Sequence, residues 1–117
     1  MDGRVQEPVI AWIRKQYAVQ YVDSVTEPGP IRILADGIKP AAADSIRRRV
    51  DISVNSHGSR AIAVVAHYDC TGNPASREEQ MRQLAVSVDI VQGWGYQVPV
   101  QGLWVDENWQ VQAVPQE

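Results

Sequence analysis

Ala61-Ile-Ala-Val-Val-Ala-His-Tyr-Asp-Cys70 is the stretch on which the fold turns. Its first six residues are small or branched and apolar, without polar alternation. That is the pattern of a central strand in a parallel sheet, covered on both faces. Parallel strands need crossover connections, usually helices, so the run points to an α/β protein. It closes on His67-x-x-Cys70, which sets a nitrogen and a sulfur donor at the carboxyl end of a strand. Open α/β sheets build their sites at that end, and the pair would be partly shielded there.

Working outward, Ile46, Val50, Val54 and His57 recur at helical spacing after Pro40, with Asp44 near the start and Gly58 as C-cap. This is the crossover helix leading into the strand. On the other side, Thr71-Gly-Asn-Pro74 makes a turn, and Ser76-Arg-Glu-Glu79 is a capping box. It opens a helix with Met81, Leu84, Ala85, Val88 and Val91 on one face. Val98 to Val105 and Trp109 to Ala113 read as two strands joined by a tight turn at Asp106-Glu-Asn108, the last one an exposed or interface edge. Toward the amino end, Glu7-Pro8 with Val9, Trp12 and Ile13 fits a first helix that ends near Gln16. Tyr17-Ala-Val-Gln-Tyr-Val22 then reads as a first strand, stopped by Asp23-Ser24 and by Glu27-Pro28-Gly29-Pro30. Residues 31–36 fit a short helix or a brief strand, and the bracketing Pro30 and Gly37 favour the helix.

The 117 residues, 44% of them hydrophobic, suit one domain spanning the chain. A net charge of −3 with interspersed signs gives no basic stripe for nucleic acid. Arg47-Arg48-Arg49 is read as a solvated helix face. No apolar stretch reaches the ~20 residues that span a bilayer, and the amino end lacks the basic-then-apolar order of a signal peptide. A cytoplasmic protein without membrane contact is therefore expected. The single Cys70 is a core thiol, a reactive thiol or a metal ligand.

A strand ending His-x-Asp-Cys, preceded by His57-Gly-Ser-Arg-Ala61, resembles the β-class carbonic anhydrases. Val100-Gln-Gly-Leu-Trp-Val-Asp-Glu-Asn-Trp-Gln-Val111 is similar to that family's closing strand, acidic turn and final short strand. Tyr21-Val-Asp-Ser-Val25 stands in the place of the family's Cys-x-Asp-Ser-Arg motif. The resemblance runs from about residue 17 onward and is narrowest to a short group that combines His-Tyr-Asp-Cys-x-Gly-Asn-Pro with a Leu-Trp-Val ending. It implies a small three-layer α/β sandwich with a mainly parallel central sheet and an antiparallel edge strand. It also implies zinc, reversible hydration of carbon dioxide to bicarbonate by a metal-bound hydroxide, no organic cofactor, and a homodimer.

In that alignment the family's first cysteine is Tyr21 and its arginine is Val25, so only His67 and Cys70 carry over as metal ligands. Three readings stay open. In the first, zinc is held by Asp23, His67 and Cys70, with Asp23 and Ser24 forming the catalytic loop and one coordination position open. In the second, the scaffold is a catalytically inactive binding or regulatory protein. In the third, Cys70 is a nucleophile or redox thiol activated by His67. Asp69 and Asn73 shape their turn or support a ligand, Glu27 is solvated or faces the site, and His57 belongs to a helix cap. Trp12, Trp94, Trp104 and Trp109 are more aromatic bulk than a small core hides, which assigns some of them to a subunit interface.

Overall fold

A computed structural model describes residues 1–115. The chain forms α1 (Gly3–Tyr17), α2 (Pro30–Asp36), α3 (Pro40–Asp51) continuing into a π-helical turn (Ile52–Ser56), β1 (Ile62–His67), α4 (Arg77–Gly93), β2 (Val100–Val105) and β3 (Val111–Val114). The strands make one sheet in the order β1-β2-β3. β1 and β2 are parallel, with Ile62 opposite Val100 and His67 opposite Val105. β2 and β3 are antiparallel.

Local chemistry accounts for most element ends. Ser76 caps α4 by accepting the Glu79 N–H at 3.1 Å. Pro30 and Pro40 stand in the first turns of α2 and α3, where a missing N–H removes no helical bond. The Asp106 carboxylate accepts the backbone N–H of Asn108 at 2.9 Å and of Gln110 at 3.0 Å. Those bonds build the β2–β3 turn and hold the Asp106 carboxyl below its ordinary range, the Gln110 bond contributing most.

Helices cover both faces of the sheet. On one face α2, α3 and α4 bring Ile31, Leu34, Ile46, Leu84, Val88 and Val91 against Val64, Ala66, Val100 and Trp104. On the other, Val5 and Val9 of α1 pack on Leu103 and Val105. Three inward polar residues of α4, Gln80, Gln83 and Ser87, are also buried, whereas Ala85 is exposed. Ser87 Oγ donates to the Ile31 carbonyl at 3.0 Å and so ties α2 to α4.

Three expectations need correction. The first helix begins at Gly3 rather than near Glu7, because Asp2 caps it; Pro8 lies inside the helix. Tyr17–Val22 is not a strand: Tyr17 ends α1, Ala18 closes it in the left-handed region at φ 51°, and residues 19–27 carry neither helix nor strand. With no strand from that segment beside it, β1 lies at the sheet edge, and β2 occupies the centre. Of the tryptophans, Trp104 is core, 3% exposed.

Candidate functional site

β1 delivers His67 to the carboxyl end of the sheet, where only 8% of it is exposed. Its Nδ1–H donates to the Tyr68 carbonyl at 2.8 Å, which leaves Nε2 as the available lone pair. The His67 carbonyl accepts from Gln80 Nε2 at 3.0 Å, so α4 fixes the strand end. The loop that follows is pinned as well. Asn73 Nδ2 donates to Gln83 Oε1 at 2.6 Å in the interior. Gly72 meets the Pro28–Gly29 turn so closely that a Cβ there would lie 2.5 Å from the Pro28 carbonyl carbon. Cys70 is a half-buried free thiol between these two anchors.

The amino end of α1 supplies a second cluster. Asp2 accepts the Arg4 backbone N–H at 2.9 Å as N-cap and also receives the guanidinium, Nε at 3.0 Å and Nη2 at 2.6 Å. Arg4 reaches on to Asp69, with Nη1 3.3 Å from Oδ2 and Nη2 3.4 Å from the carbonyl oxygen. Its guanidinium carbon also lies 4.4 Å from the centre of the Trp109 ring. These contacts hold Asp69 in the left-handed region at φ 58°, a conformation aspartate tolerates better than most residues. The Arg4 bonds keep the Asp2 carboxyl far below the usual carboxylate range. Asp2 and His67 share the wall of a cavity of about 120 Å³ with Val65, Asp23 and Ser24.

Asp23 lines this cavity, but its carboxylate is engaged elsewhere. Oδ2 lies 2.6 Å from His57 Nδ1. Hydrogen bonds from Ser53 first, then from His57, depress the Asp23 carboxyl below its ordinary value. Ser24 is exposed, and Tyr21 is 83% exposed. Glu27 pairs with Arg49. Among the described residues, no three His, Cys, Asp or Glu side chains gather closely enough to hold a metal ion. The donors in this arrangement therefore do not fit a complete zinc centre, and the Asp23, His67, Cys70 set is not assembled.

A family model described as putative carbonic anhydrase matches residues 1–115. The chain belongs to this family. No curated protein and no solved structure matches it. The match takes in α1 and so reaches Asp2 and Arg4, a pair the sequence analysis did not single out. The parent motif quoted above spaces its aspartate and arginine two residues apart. Asp23-Ser24-Val25 breaks that spacing, whereas Asp2-Gly3-Arg4 keeps it, and the structure shows the pair formed beside His67. Among the described residues no helix is long and apolar enough to cross a membrane.

Proposed function

We propose that this carbonic-anhydrase-family protein uses the carboxyl end of β1 as a zinc pocket for reversible hydration of carbon dioxide, with His67 and Cys70 as ligands and Asp2–Arg4 as the charged pair beside them. The observation that carries this reading is the buried His67 next to an intact Asp–Arg pair, since a scaffold that had lost its site would have no need to hold both. With the pair in this register, Tyr21 does not stand at the motif's cysteine position, so its exposure weighs nothing against the site. Asp23 remains the candidate third donor from within the chain because it borders the same cavity as His67. To reach the pocket it has to leave His57. Homodimer formation and the three-layer sandwich of the parent family belong to the same proposal.

A second reading, a binding or regulatory protein on the family scaffold, is favoured by one observation: Asp23 is already satisfied by His57 and Ser53. Zinc per chain, measured by elemental analysis on wild type, His67→Ala, Cys70→Ala and Asp23→Asn, separates the two. Near-stoichiometric zinc that is lost in all three variants supports the proposed centre and calls for a carbon dioxide hydration assay. A wild type that takes up no zinc on reconstitution supports the scaffold reading.

A further inference from the structure

Among the described residues, three that are not glycine have positive φ: Ala18, Asp69 and Trp109. Ala18 closes a helix, a common use of that conformation. The other two both touch one guanidinium, that of Arg4. At Trp109 the φ of 58° is costly, because a bulky side chain fits the left-handed region poorly. The β2–β3 turn imposes it there: the Asp106 carbonyl accepts the Trp109 N–H at 3.0 Å, and the Gln110 carbonyl accepts the Asp106 N–H at 3.1 Å. Glycine is the ordinary occupant of such a place and asparagine the next, yet Asn108 stands one residue earlier and does not take the conformation. Turn closure alone does not ask for an indole at this position.

The indole is seated by Tyr68, whose ring meets it edge-on with centroids 6.5 Å apart, and by the apolar cluster around Val5, Val9, Leu103 and Val105. The Arg4 guanidinium carbon lies over the indole, 4.4 Å from the ring centre. A guanidinium is a planar fork of N–H donors, so fixing its plane fixes which acceptors it can reach. In the observed plane Nε and Nη2 meet Asp2, while Nη1 and Nη2 extend to the Asp69 carboxylate and carbonyl. The ion pair with Asp69 cannot hold that plane by itself, since its side chains are 47% and 65% exposed and such pairs contribute little. A ring against one face of the guanidinium supplies the missing constraint. We infer that Trp109 is a positioning residue: its left-handed backbone presents the indole to Arg4, and the stacked guanidinium then holds Asp2 at the start of α1 and Asp69 beside Cys70 in one arrangement. This role rests on the proposed function, in which the Asp2–Arg4 pair borders the metal pocket. The strain at Trp109 follows from it, because strained backbone persists where the surroundings over-determine it and the site uses the result.

The test is NMR on the metal-free full chain, following the Arg4 Nε–H resonance, assigned by its loss in Arg4→Lys. Trp109→Gly removes the ring and gives the turn the residue its backbone favours. The fold should persist by circular dichroism, while exchange of the Arg4 Nε–H rises roughly tenfold and its shift moves to that of a free arginine side chain. Trp109→Tyr keeps an aromatic face and should hold the exchange rate within about threefold of wild type. Trp109→Leu keeps apolar bulk and the backbone strain without such a face, and should behave like the glycine variant. If the glycine variant does not fold, the tyrosine and leucine variants decide the matter between them. Unchanged exchange in Trp109→Gly overturns the inference, and so does equal loss in the tyrosine and leucine variants, which would leave Trp109 a packing residue. A wild-type Arg4 Nε–H that exchanges as fast as that of the exposed Arg48 overturns it as well. Zinc uptake by the wild type tests the proposed function separately. A protein that takes up no zinc yet shows the aromatic dependence loses the metal pocket and keeps the positioning role.

Discussion

The two ends of β1 each set a histidine near an aspartate, and they are built in opposite ways. At the carboxyl end His67 is buried, its strand end is tied to α4 through Gln80, and the adjacent Asp2 is locked by Arg4. At the amino end the His57 side chain is 58% exposed, and it holds Asp23 by one contact across a wide cavity. The Arg4–Asp2 and His57–Asp23 contacts are equally short, 2.6 Å, and both are partly exposed, yet only the first lies beside a buried side chain, His67. A short polar contact marks a built site when its supports are buried; in solvent it marks a tether that exchanges at little cost.

The difference can be attacked from the packing that supports the carboxyl end. Leu103 is fully buried between β1 and α1, so Leu103→Ala should destabilise the protein by about 2–5 kcal/mol in denaturant unfolding and loosen α1, which carries Asp2 and Arg4. A loss under about 1 kcal/mol would mean that this end is no better built than the other.

A smaller effect sharpens the electrostatic half of the comparison. Asparagine keeps the N-cap acceptor, so Asp2→Asn removes the charge and little else. The folded Asp2 carboxyl titrates below its unfolded value of about 3.9. The native state therefore binds fewer protons than the unfolded one between the two values, and stability rises with pH there. The pair's contribution is complete above that window and disappears as pH falls through it. Stability curves of wild type and Asp2→Asn should separate by no more than about 1 kcal/mol at neutral pH and converge in acid. Curves that stay parallel down to low pH would show that the charge adds nothing. The smallest change belongs to His57→Ala, which should cost a few tenths of a kcal/mol and leave His67 exchange and any zinc content untouched. Loss of zinc in that variant would join the two ends and break the contrast.

Where the sequence carried its own local signals, it could be read. The capping box at Ser76, the prolines that open α2 and α3, the apolar run of β1 and the Asp106 turn each act within a few residues. Tyr17–Val22 misled because strand propensity expresses itself only against a partner, and residues 19–27 find none. The amino end misled for the opposite reason. Pro8 looked like a helix start, whereas Asp2 had capped the helix a turn and a half earlier and the proline was absorbed inside it. The position of His67 at the end of a strand could be read from the apolar run before it, and Cys70 follows in the loop beyond. Arg4 was not, because its importance comes from Asp69 and Trp109, both distant in sequence.

Every strand pair in the sheet includes β2, which begins at Val100, after all four α-helices. During synthesis β1 therefore emerges without its partner strand, and α1 has only part of the surface on which it later packs. The parallel pairing of Ile62 with Val100 closes a long loop, a slow step for a chain of this size. Until β2 arrives, an apolar strand is open along both edges in the nascent chain. This protein is thus expected to depend on chaperone shielding late in translation, and truncations that remove β2 should aggregate rather than accumulate as a smaller folded core.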